Sequence, residues 1–144
     1  MSSASLVGRE MGLGLILEAQ CDVTAELGRF ELADETIGDS RAFAARAQLE
    51  ALPFYADRLD GRAALARGDV SRALEMLARA RDGFVALGAP WEAAVAQVWL
   101  GEAQLAAGQA GDACRCATEA FEVFDELRSV RERELARSLL DRAG

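Results

Sequence analysis

The sequence contains no histidine, no lysine and no asparagine. Without histidine, nucleophile–base pairs that place an imidazole beside a serine or cysteine are excluded. The three cysteines, Cys21, Cys114 and Cys116, cannot all pair within one chain. Cys114 and Cys116 lie two apart in a helical pattern and point to different sides, which suits neither a disulfide nor a shared metal. They read as reduced, core-type thiols, and no metal or other cofactor is expected. All 16 basic residues are arginine, which reads as GC-rich codon usage rather than chemistry.

Aromatic residues are scarce, and the two prolines, Pro53 and Pro90, both fall outside strongly periodic stretches. Long hydrophobic runs are also missing. The apolar run from Met11 to Leu17 is bounded by Glu10 and Glu18 and is too short for a signal core or a membrane span. It reads as the apolar face of a first helix in a soluble, cytoplasmic protein. What is abundant is alanine, leucine, glutamate and arginine, all good helix formers. With 51% hydrophobic residues the chain has enough to bury, so disorder is excluded and an all-α fold is expected.

The formal net charge is -8. Such a chain repels phosphate backbones and anionic lipid headgroups, so neither direct nucleic-acid binding nor membrane binding is expected. The charge is uneven: residues 51–90 hold five acids against six arginines, whereas both flanking segments are acidic.

The strongest signal is a repeat. Residues 61–84, GRAALARGDVSRALEMLARARDGF, align with 101–124, GEAQLAAGQAGDACRCATEAFEVF, at a constant offset of 40. Gly61, Ala63, Leu65, Gly68, Ala73, Ala80 and Phe84 fall on Gly101, Ala103, Leu105, Gly108, Ala113, Ala120 and Phe124. The same step backwards reaches Cys21, Val23, Gly28, Phe30 and Ala33, and the match fades after Ile37. Each unit reads as a helical hairpin. Gly28, Gly68 and Gly108 stop the first helix in a left-handed conformation, and Asp69 caps the second. Ala73, Leu77, Ala80 and Phe84 form one apolar stripe, matched by Ala113, Ala117, Ala120 and Phe124. Between units, Gly88 stops one helix and Pro90 opens the next. Ser129 and Glu132 form an S-x-x-E capping box for a closing helix. Seven helices are predicted, over about 7–27, 30–47, 52–67, 70–86, 91–107, 110–127 and 130–142, the second interrupted by Gly38. The chain is read as a single domain: three hairpins (about 7–47, 52–86 and 91–127) and a capping helix at 130–142.

These residues resemble the tetratricopeptide repeat: the Gly68–Asp69 turn, Ala73 with Ala80, and Leu100–Gly101. The period of 40 exceeds the family's usual length of about 34 residues and implies longer helices. Segments such as FVALGAPWEAA at 84–94 resemble the helical arrays of large bacterial signalling proteins, among them LuxR-type ATP-binding transcription regulators and nucleotide cyclases. The resemblance, over residues 20–142, implies an α-α superhelix that binds a protein or peptide in its concave groove, or else a sensor that takes a small effector inside the superhelix. No phosphate loop or DNA-binding helix-turn-helix is read in the chain.

In the repeat register, the concave positions of the first helices are Leu15, Glu18, Asp22 and Ala25, then Tyr55, Arg58, Arg62 and Leu65, then Val98, Glu102 and Leu105. Arg58 and Arg62 lie one turn apart on one face beside the only tyrosine. Two adjacent guanidiniums suit a carboxylate or an extended peptide. The alternative is that they form ion pairs with Glu18, Asp22 and Glu102 across the groove. The candidate partner-binding set is therefore Tyr55, Arg58, Arg62, Glu18, Asp22, Val98 and Glu102, with self-association through exposed end helices as a further option. Trp91 reads as a packing residue at an inter-repeat corner, and Trp99 as a packing residue beside Leu100 on the same helix. Paired carboxylates sit on polar helix faces, and no enzymatic role is expected.

Overall fold

The fold is visible in a computed structural model that describes the backbone of residues 3–144 and the side chains from Arg9 onward. The described residues form α1 (Ser3–Glu26), a 3-10 turn (Phe30–Leu32), α2 (Ala33–Ala47), α3 (Leu52–Ala66), α4 (Val70–Ala86), α5 (Pro90–Ala106), α6 (Ala110–Glu126) and α7 (Val130–Ala143). No helix among them is long and apolar enough to cross a membrane.

The architecture is an all-α helical-repeat superhelix. Consecutive helices pack against each other along the chain, and the first helices of successive hairpins also touch: α1 with α3, α3 with α5, and α5 with α7. That inner row forms the concave side. Six positive-φ residues punctuate the described chain at even spacing: Gly28, Gln48, Gly68, Gly88, Gly108 and Arg128. Each ends a helix, so the 40-residue period is built from two helical segments of equal length.

The apolar stripes are buried as their spacing requires. Ala73, Leu77, Ala80 and Phe84, and their counterparts Ala113, Ala117, Ala120 and Phe124, are all at most 1% exposed. Small residues let the backbones approach. A Cβ built on Gly61 would lie 2.5 Å from Leu77 Cγ, and one on Gly101 would lie 2.6 Å from Leu139 Cδ2. Ala136 and Leu139 of α7 pack against α5 and α6, closing the core at that end.

Three local expectations are revised. In the first hairpin the irregularity lies in the 3-10 turn before Ala33, while Gly38 sits inside a continuous α2. The repeat register also persists beyond Ile37, because Ser40 and Ala44, equivalent to Ala80 and Phe84, are buried. Serine replaces alanine there without exposing itself by facing Cys21, Sγ to Oγ 3.5 Å. Finally, Ser129 does not form the capping box. Its hydroxyl accepts from Trp91 Nε1 (3.1 Å) and donates to the Glu132 carboxylate (2.6 Å), so no side chain caps α7. Asp69, by contrast, caps α4 by accepting from the Arg72 amide at 3.2 Å.

Candidate functional site

The concave face is built by α1, α3, α5 and α7, and five of the seven sequence-predicted residues meet in one cluster on it. Glu18 and Asp22 come from α1; Tyr55, Arg58 and Arg62 come from α3. The other two come from α5 and stand further along the same face. Val98, 4% exposed, lines the groove beside Trp91 and Leu135. Glu102 faces Arg142 of α7, which forks onto it with one bond at 2.9 Å.

Arg58 is only 4% exposed and its valences are taken up within the chain. Nη2 donates to Asp22 at 2.8 Å, and Nη1 donates to the Glu92 carbonyl at 3.0 Å while lying 2.7 Å from the Glu92 carboxylate. The guanidinium also stands 5.2 Å from the Tyr55 ring centroid and 5.0 Å from that of Phe84. Tyr55 completes the knot by donating to Glu92 at 3.0 Å. Arg58 thus ties α1, α3 and α5 together. Of the three acids expected across the groove, Asp22 does pair with it, and Glu92 takes the place foreseen for Glu102.

Arg62 is half-buried in a different way. Its guanidinium lies 4.0 Å over the Trp99 ring, and it reaches the Ala25 carbonyl (3.4 Å) and the Glu26 carboxylate (3.6 Å). Desolvation, with Arg58 nearby, lowers its pKa, partly offset by Glu26. Burial raises the Glu18 carboxyl, and the negative charges of Glu92 and Asp22 add to that. Burial also raises Asp22, although Arg58 opposes it. Burial and Glu92 push the Tyr55 phenol far up. This corner of the groove is an acid-rich, partly desolvated knot around two arginines.

The accessible part of the groove lies beside it. Asp22, Glu26, Arg58, Arg62, Trp91, Val95, Arg131 and Glu132 line a recess of about 140 Å³. A second recess of about 30 Å³ continues under Trp91, Trp99 and Leu135. Across the mouth, Glu26 of α1 pairs with Arg131 of α7 at 2.5 Å, bringing the two ends of the superhelix together. Both partners of that pair are exposed, so it contributes little stability and opens at small cost.

No family model, curated protein or solved structure matches this chain. The helical-repeat architecture is therefore read from its own period and packing.

Two features of the site escaped the sequence reading. Asp22, Arg62, Glu102 and Arg142 occupy equivalent positions 40 residues apart and alternate in sign along the concave face. The alternation is legible once the register is known. The second is a buried charge cluster beside α3. Asp57 and Asp60 are 2% and 6% exposed. Arg41 of α2 donates to both, at 2.8 and 2.9 Å, and Arg72 of α4 grips Asp60 at 2.8 and 2.7 Å. Arg79 stands 3.6 Å from Asp57. The signal for Asp60 is its register, since it stands where Leu100 is buried one repeat later.

Proposed function

We propose that this chain is a protein–protein interaction module of the tetratricopeptide type, holding a peptide or partner domain along the groove between α1, α3, α5 and α7. The observation that supports this reading is the groove itself: tryptophan walls, a rim of both charge signs, and an exposed Glu26–Arg131 pair that can part to admit a chain. The resemblance noted above puts such a module in the cytoplasm, in bacterial signalling or transcriptional regulation.

The groove's contact residues are Arg62, Trp91, Val95, Arg131, Glu132 and Leu135, while Arg58, Tyr55 and Asp22 form the frame beneath them. Beyond Arg62 and Trp99 the groove continues into a third open recess of about 390 Å³ beside Ala25, Leu27 and Phe30, and such a run of linked recesses suits an extended segment. The acidic net charge of -8 disfavours a nucleic-acid ligand and favours a partner carrying basic as well as apolar side chains.

Trp91 and Trp99 are the only tryptophans, and both stand at the groove. Titrating the partner captured from the native host should therefore shift the intrinsic tryptophan emission saturably. A stable complex with unchanged emission would place the partner elsewhere.

A further inference from the structure

Glu26 closes α1 at a position where the later units have alanine: Ala66 ends α3 and Ala106 ends α5, each one repeat further on. A carboxylate is the wrong charge for that place, since the carbonyl end of a helix carries partial negative charge. Helix stability does not call for it, but its surroundings do. The carboxylate lies between two arginines from opposite walls of the groove. Oε2 is 2.5 Å from Arg131 Nη2 of α7, and Oε1 is 3.6 Å from Arg62 Nη1 of α3. Glu26 also borders all three recesses of the groove, so it stands where they join.

Arg62 is held loosely for a buried charge. Its side chain is 11% exposed, and its Nε has no hydrogen-bond partner among the described residues. Its other contacts, to the Ala25 carbonyl at 3.4 Å and to Glu26, are long. A charged pair normally closes to about 2.7–2.9 Å, as Arg58 does on Asp22 at 2.8 Å. Stacking on Trp99 nonetheless fixes the plane of Arg62. The guanidinium is in position, and its hydrogen-bonding capacity is largely unused.

We propose that Glu26 is an internal stand-in for an acidic side chain of the partner, which displaces it and takes its place between Arg62 and Arg131. This rests on the reading of the groove as the seat of an extended segment. Glu26 is the last residue of α1 and its side chain is 47% exposed, so it can turn into solvent while the helix stays in place. The three recesses then run together, and two guanidiniums face the site of one carboxylate. Recesses lie on both sides of that site, so the acid belongs inside the segment rather than at a chain end. Its apolar neighbours reach Trp91 and Leu135 on one side and Leu27 and Phe30 on the other. Basic side chains favoured by the acidic surface lie elsewhere on the partner. Until displaced, Glu26 obstructs segments that bring no acid, so the contact is both autoinhibitory and selective.

Selection of randomised octapeptides, displayed on phage without a free C-terminus, on wild type and on Glu26→Ala tests the proposal. The substitution installs the residue of the other repeats, so helicity and melting temperature should hold. Selected peptides should carry an acidic residue between apolar ones. Synthesised with an amidated C-terminus, they should shift the tryptophan emission of both proteins. They should bind Glu26→Ala about two- to fivefold more tightly than wild type, the gain expected from freeing one exposed ion pair. Changing the acidic residue to its amide should weaken binding to Glu26→Ala, and adding Arg131→Gln should erase most of that difference. Peptides that bind at the tryptophans without an acidic residue, or equally to both proteins, would overturn the stand-in and leave the groove reading intact. No peptide bound by either protein would overturn both.

Discussion

Arg58 shows how a residue singled out for binding becomes part of the frame. From the sequence it is one of two arginines on a concave face; in the fold its charge is spent on Asp22 and Glu92 and its plane faces two rings. Removing it as Arg58→Met leaves Asp22 and Glu92 without their cation, and should cost about 3–5 kcal/mol in a denaturant titration. Phe124→Ala, at a position with 0% exposure, should lose about 3–5 kcal/mol by cavity formation. The stripe containing Phe124 was legible because apolar spacing reports burial directly. The fate of Arg58 was not, because the sequence shows a charge but not whether neighbouring helices have already neutralised it.

The acids of the frame also set its pH response. In Asp60, burial raises the pKa but the hydrogen bonds from Arg72 and Arg41 outweigh it, so the folded value lies below the ordinary 3.8. Its contribution is fully present above the unfolded pKa and is lost as pH falls through the folded one. Asp60→Asn should destabilise the protein at pH 7 by about 1.5–3 kcal/mol, its partners being partly able to rehydrate, and should remove Asp60's share of the acid loss below about pH 4. Glu18 has the opposite sign. Its folded pKa is raised, so the ionised form opposes folding at neutral pH and the opposition fades as pH falls toward 4.5. Glu18→Gln should therefore stabilise at pH 7 and flatten the slope of stability just above pH 4.5, which thermal melts across pH will show.

At the scale of the element, the chain is ruled by a helix stop every 20 residues. Four of the six stops are glycine, and those four account for most of what could be read of the helix boundaries. Gln48 and Arg128 occupy the same left-handed conformation with φ of 55° and 57° but carry no sequence mark of it. Arg128→Gly should stabilise the protein by about 1 kcal/mol, and Gly68→Ala should cost a similar amount, because a left-handed residue with a Cβ is strained by about 1–2 kcal/mol. Nothing lies within 4 Å of a Cβ at Gly68, so that loss is one of backbone conformation alone. Gly61→Ala differs, since its Cβ meets Leu77 at 2.5 Å and overpacking costs about 1–3 kcal/mol. Hydrogen-bonded ends were harder to foresee than glycine ends. The spacing of Ser129 and Glu132 fits a capping box, but Trp91 from another helix claims the serine, a tertiary contact invisible to a local motif.

On the scale of the whole molecule, the repeat gives a curved array whose first helices stack inside and whose ends meet through Glu26 and Arg131. The period was readable in advance. The closeness of the two ends was not, since it depends on curvature summed over every hairpin. That closure divides the concave face into a filled half around Arg58 and an accessible half around Trp91, Arg131 and Leu135, and the central claim is that a partner lies along the accessible half. The direct measurement is affinity capture from the native host with wild type beside Arg131→Glu combined with Leu135→Arg, both exposed positions. Loss of the captured partner with helicity and melting temperature unchanged is the predicted result. Capture undiminished by the double substitution would contradict the account.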